Sequence, residues 1–123
     1  MTAADVAVVA ACGYFAVFGT AFVLRPELAG QFGLKWVDPA GRTEVRCYYG
    51  AVSWALAAFL AYLLTQHRAV DALTGVLFLA LAVLATRVVG TTVDHAWRER
   101  YTKMAVPVEA AFVVALGVVR LFS

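Results

Sequence analysis

Charged positions are unevenly spread along the chain, and the gaps between them predict its elements. Val6 to Leu24 contains no Asp, Glu, Lys or Arg and ends at Arg25-Pro26, where proline biases the preceding residue away from helix. A second uncharged run extends from Cys47 to His67. The third, Ala72 to Thr86, has 15 residues, or about 22 Å at the helical rise, which falls short of a hydrocarbon core of about 30 Å. Continuing through Arg87 to Asp94 restores the length. The last run spans only if Glu109 is drawn in, because Ala110 to Val119 is ten residues. Four helices are therefore predicted, over about 5–25, 39–67, 70–94 and 104–121, forming one all-α transmembrane domain across all 123 residues, an antiparallel four-helix bundle.

The stretches between the runs carry turn chemistry. Arg25 to Arg42 holds Pro26, Gly30, Gly33, Pro39 and Gly41, interleaved with Leu28, Phe32, Leu34, Trp36 and Val37. This mixture suits a short helix or turn at the membrane interface, with Trp36 at headgroup depth. Asp38-Pro39 then starts a helix, Asp accepting orphan amide hydrogens and Pro filling the first turn. Asp94 to Lys103 is expected to be a loop outside the lipid, with Pro107 tolerated in the first turn of helix four. Val9-Ala10-Ala11-Cys12 looks like a lipoprotein cleavage box. No positive residue precedes it and the apolar stretch before Cys12 is short, so helix one is expected to be retained. Cys12 and Cys47 fall at different depths and are expected to remain unbridged, as small apolar residues.

Composition strengthens the membrane reading. The chain is 63% apolar and 15% charged, with mean hydropathy +0.82, against roughly 45–50% apolar and 25% charged in soluble domains. Small domains have the most surface per residue to cover with polar groups. This one has too few for water, so its surface is expected to face lipid. The net charge of +2 does not point to nucleic acid, because the basic residues follow a topological pattern. Arg25, Lys35, Arg42, Arg98, Arg100 and Lys103 lie in the connections after helices one and three, against Arg68 and Arg120 on the opposite side. The positive-inside rule then puts loops 25–42 and 94–103 in the cytoplasm and both termini outside. Arg98, Arg100 and Lys103 suit lipid headgroups.

The same topology brings Glu44, Arg46, Arg87, Asp94 and Glu109 to one depth. An unpaired charge in lipid costs at least about 2.5–3.5 kcal/mol, so these groups are expected to face inward and pair, Glu44 with Arg87 and Arg46 with Asp94 or Glu109. Helical spacing puts Glu44, Cys47, Tyr48 and Ala51 on one face, and Arg87, Gly90, Thr91 and Asp94 on another. Gly50 and Gly90 are expected to let helices two and three approach closely. The result would be a polar pocket walled by Tyr48, Tyr49, Trp54 and Phe112.

Three functions fit such a cluster. The first is a binding or catalytic site for a small lipid-soluble molecule entering sideways, such as an isoprenoid, a quinone-like ring or an epoxide. There Glu44 or Asp94 would act as base and Tyr48 or Tyr49 as proton donor. Arg46, Arg87, Glu109, Tyr49 and Trp54 would line the ligand. The second is a non-enzymatic structural or assembly subunit whose ion pairs fix helix register, cheap at interfacial depth because arginine snorkels. The third is a minimal proton-coupled transporter. No cofactor is expected: His67 and His95 fall on opposite sides, no Cys/His set has metal-ligand spacing, and no phosphate-binding glycine loop is present. Membrane lipid is the expected partner, and a homo-oligomer is expected because so small a bundle has little interior.

The order Pro26, Glu44-Val45-Arg46-Cys47-Tyr48-Tyr49-Gly50, Arg87-x-x-Gly90-x-x-x-Asp94 and Glu109 resembles a family of small bacterial four-helix integral membrane proteins of unknown function. The likeness covers nearly the whole chain, and Glu-x-Arg-x-x-Tyr-Gly is its most specific part. The glycine often doubled there is Gly50-Ala51 here. The resemblance implies a four-helix membrane fold in the bacterial inner membrane and no particular activity.

Overall fold

The computed structural model describes residues 1–123, all helices and connections without a strand. Helix α1 covers Ala3–Leu24. It begins earlier than the uncharged run because Thr2 and Asp5 form a reciprocal cap. The Thr2 hydroxyl accepts from the Asp5 amide at 3.1 Å, and the Asp5 carboxylate accepts from the Thr2 amide at 2.8 Å. A 3-10 helix, Pro26–Phe32, follows and stops at Gly33, whose φ of 79° lies in the left-handed region that glycine enters without strain.

Helix α2 runs Pro39–Thr65. Asp38 is its N-cap, accepting from the Gly41 amide at 3.1 Å, and Pro39 is its first residue. Trp36 lies over this turn. A Cβ added to Gly41 would stand 2.6 Å from the Trp36 Cβ, so only glycine leaves room there. Between Arg46 and Ala51 the helix widens into a π turn, which spacing rules built on 3.6 residues cannot foresee.

Helix α3 is Ala69–Val93 and helix α4 is Arg100–Leu121. Helices α2 and α3 end in the same way. The Arg68 amide reaches the Leu63 carbonyl at 3.0 Å and the His67 amide reaches Leu64 at 3.1 Å. After α3, Ala96 reaches Thr91 at 2.9 Å and His95 reaches Thr92 at 3.4 Å. These are Schellman caps whose left-handed residue is histidine, at φ 56° for His67 and 54° for His95.

The start of α4 corrects the sequence expectation. Arg100 to Lys103 is helical, not loop, because arginine, lysine and tyrosine cost a helix little in propensity and a polar turn can extend an apolar helix. Pro107 therefore falls inside α4 and not in its first turn, leaving the Lys103 carbonyl without its usual helical donor.

The chain divides into two compact units, one of residues 1–7 and 69–123 and the other of residues 8–68. In the 8–68 unit, α1 meets the π turn through paired glycines. A Cβ on Gly19 would lie 2.8 Å from the Gly50 carbonyl oxygen, and one on Gly50 would lie 3.0 Å from the Val23 nitrogen. In the other unit, α3 and α4 pair antiparallel, as the order of their cross-links shows: Arg87 to Glu109 and Thr74 to Arg120. Glycine plays no part there, since a Cβ on Gly75, Gly90 or Gly117 would meet nothing within 4 Å. Gly50 thus serves close packing as expected, and within its own unit the glycine it meets is Gly19 on α1.

Candidate functional site

The ionisable residues singled out from the sequence are shared between the units: Glu44 and Arg46 in residues 8–68, and Arg87, Asp94 and Glu109 in residues 69–123. Each unit carries its own polar arrangement.

In the 8–68 unit, the Arg46 guanidinium donates to the Val23 carbonyl. That carbonyl belongs to the last turn of α1, where Arg25-Pro26 ends the helix and leaves acceptors unfilled. Arg46 therefore acts as a side-chain cap on a neighbouring helix, held in place by the Gly19 and Gly50 contact beside it. Tyr49 is packed among aromatic rings, with centroids 5.4 Å from Phe22, 6.1 Å from Phe32 and 6.4 Å from Phe18. The Tyr49 carbonyl accepts from the Ser53 hydroxyl at 2.8 Å. Trp54 donates its indole N–H to the Thr20 hydroxyl at 3.1 Å, and that hydroxyl donates to the Ala16 carbonyl at 2.8 Å. Thr20 escaped the sequence analysis, because nothing in spacing tells which helix a tryptophan will face. Glu44 and Tyr48 are exposed, Tyr48 at 68% of its surface, and neither makes a side-chain hydrogen bond.

At the edge of this unit Arg42 holds Glu27 at 2.9 Å. The Arg42 hydrogen bond, joined by a backbone hydrogen bond, keeps the Glu27 carboxyl below its ordinary value of 4.5.

In the 69–123 unit, Arg87 Nε lies 2.7 Å from both carboxylate oxygens of Glu109. The guanidinium carbon stands 5.3 Å from the centre of the Tyr101 ring, within cation–π range. Arg87 and Glu109 keep 28% and 23% of their side-chain surface, so the pair is half-buried. The expected pairing of Glu44 with Arg87 is thereby corrected: Arg87 takes Glu109, and Arg46 takes a carbonyl where a carboxylate was expected. Helical spacing gives the face of each residue but not the neighbour that face meets. Tyr101 was missed because its stretch was assigned to a loop.

Asp94 is exposed after the last turn of α3 with no side-chain hydrogen bond, while nearby Trp97 donates to the Thr92 hydroxyl at 3.1 Å. Toward the opposite end of the helix pair, Arg120 Nε donates to the Thr74 hydroxyl at 2.8 Å. An arginine from each helix thus reaches across to the other. Beside Arg87, an open groove of about 360 Å3 is lined by Ala82, Val83, Thr86 and Arg87. Phe112 is exposed on α4. No group of three or more His, Cys, Asp and Glu side chains could hold a metal ion.

The chain matches no protein-family model, no curated protein and no solved structure.

Proposed function

We propose that the chain is a multi-pass protein of the bacterial inner membrane, a non-enzymatic structural or assembly subunit whose intramembrane ionisable residues tie helices together. Its four long helices are apolar and long enough to cross a bilayer. Large side chains such as Val17, Phe78 and Val114 expose 72%, 68% and 65% of their surface, which in water would be an unusual cost and in lipid is none. In this reading the helices cross as an antiparallel bundle, with both termini outside and the connections at 25–42 and 94–103 in the cytoplasm.

The observation that carries the structural role is the contact of Arg87 Nε with both oxygens of Glu109. Two opposite charges satisfy each other across α3 and α4, at positions where either alone would be expensive in lipid. Arg46 plays the parallel part by capping α1. By contrast Glu44, Tyr48 and Asp94, the residues best suited to proton transfer, stand exposed without the hydrogen-bonded orienting groups that acid–base catalysis uses.

Thermal unfolding in detergent tests this directly. Arg87→Met and Glu109→Gln should each lower the melting temperature while the helical circular dichroism of the folded state is kept. Unchanged melting in both variants would overturn the structural role. For orientation, a C-terminal reporter active only in the cytoplasm should stay silent.

A further inference from the structure

Helix α4 starts without the support that α1 and α2 have. Its N-cap, Glu99, makes no side-chain capping hydrogen bond, whereas α1 has its Thr2 and Asp5 cap and α2 its Asp38 cap. Pro107 then interrupts the ladder, because proline lacks the amide that would reach the Lys103 carbonyl and its ring crowds that carbonyl. Residues 100–106 therefore form about two turns between an uncapped end and a break. So short a helix depends on what it packs against.

Its packing on α3 is shallow, since the buried side chains are those of Thr102 and Ala105. Tyr101, Ala105 and Glu109 follow at intervals of four and share one face. A single side chain of α3 reaches both ends of that row. The Arg87 guanidinium carbon is 5.3 Å from the Tyr101 ring, before the break, and its Nε is 2.7 Å from the Glu109 carboxylate, after it. The two partners are about 12 Å apart along the helix axis, with the unfilled Lys103 carbonyl between them. Joining α3 to α4 requires only the carboxylate. The hold on Tyr101 does something further, because it fixes the part of α4 that the proline would otherwise release.

We propose that Arg87 latches a proline hinge in α4, holding Tyr101 on one side of the break and Glu109 on the other, so that residues 100–106 swing as an arm when the guanidinium leaves Tyr101. The arm carries Arg100 and Lys103 and moves the 94–99 connection with it. The latch rests on the α3 and α4 tie proposed above. Open and closed arms are two states of one chain, and the cation–π contact sets their ratio.

The test measures spin-label distances by pulsed dipolar spectroscopy on the full chain in dodecyl maltoside, with Cys12→Ala and Cys47→Ala so that labels sit only where they are placed. One pair reports on the arm, Val89→Cys with Lys103→Cys, and a control pair lies beyond the break, Leu81→Cys with Val114→Cys. All four positions are exposed. Before further change, each pair should give one narrow distance. Tyr101→Leu, which keeps the Glu109 pair and the fold, should raise the ratio of open to closed arm about tenfold, the worth of a half-buried cation–π contact. The rise appears as a second distance in the arm pair alone. Arg87→Met should open the arm at least as far. Adding Pro107→Ala to Tyr101→Leu restores the missing amide and should return the arm to one distance. An unchanged arm in Tyr101→Leu would overturn the latch, as would a second distance that survives Pro107→Ala or equal broadening of both pairs. The tie itself fails by a different result, unchanged melting of Arg87→Met and Glu109→Gln.

Discussion

The two units hold their helices by opposite means. In residues 8–68, α1 and α2 come so close at Gly19 and Gly50 that backbone meets backbone, and aromatic rings close around the crossing. In residues 69–123 the glycines of α3 and α4 face open space, and long side chains bridge the helices: Arg87 to Glu109 and Arg120 to Thr74. In the membrane placement proposed above, lipid offers no hydrophobic drive for helices to associate, which leaves close van der Waals contact and interhelical polar bonds as the available forces. One unit relies chiefly on the first and the other on the second. The comparison explains why arginine behaves differently in each. Arg46 has only to fill a carbonyl at the end of a helix already held by packing, whereas Arg87 is itself the connection.

Substitutions that exchange the two mechanisms should break this contrast. The largest effect is expected for Gly50→Leu, which would drive a side chain into Val23 and the Gly19 carbonyl. Overpacking against backbone, which cannot move aside as a side chain can, should cost about 3 kcal/mol. Gly90→Leu, with nothing within 4 Å, should be near neutral by the same chemical unfolding measurement. Next comes Arg87→Met, which strands Glu109 and should cost about 2–3 kcal/mol. Arg46→Met should cost about 1 kcal/mol, one capping hydrogen bond. Equal losses at the two arginines would remove the distinction between the units.

Smaller effects sharpen the account at the helix ends. His67→Gly and His95→Gly relieve a left-handed conformation that costs a side chain about 1 kcal/mol, part of which glycine returns as entropy of the unfolded chain. Each should raise stability by about 0.5 kcal/mol in thermal melts. The smallest effect concerns Glu27, whose folded carboxyl lies below its ordinary value of 4.5. A depressed carboxyl contributes stability that is present above the unfolded value and is lost as pH falls through the folded one. Protection factors of the amides in the connection, corrected for the intrinsic slowing of exchange in acid, should therefore fall below pH 4.5, and Glu27→Gln should remove that acid step.

Much of this architecture was legible in the spacing of charges. Four uncharged runs marked four helices, and the shortfall of the third and fourth correctly drew Arg87 and Glu109 into helical segments. Asp38-Pro39 gave the start of α2 because capping is local chemistry. The features that escaped depend on contacts between elements. Gly50 is identifiable as a packing position, yet that it meets Gly19 is set by how α1 and α2 cross. Arg87 and Glu109 were each recognisable as ionisable groups in apolar helices, but one carboxylate looks like another until the antiparallel register of α3 and α4 chooses. The π turn leaves no periodic trace. Tyr101 was hidden in a stretch too polar to resemble a helix start, although polarity there marks only the part of α4 beyond the apolar run.

The most direct test of the central claim is a double-mutant cycle on Arg87 and Glu109, measured by reversible unfolding in detergent with Arg87→Met, Glu109→Leu and the double variant. If the pair ties α3 to α4, each single change leaves an uncompensated charge and the double change removes both. The double variant should then be more stable than either single one, with a coupling of about 1–3 kcal/mol. Strictly additive losses would mean that the two residues act independently, and the account of the 69–123 unit would be wrong.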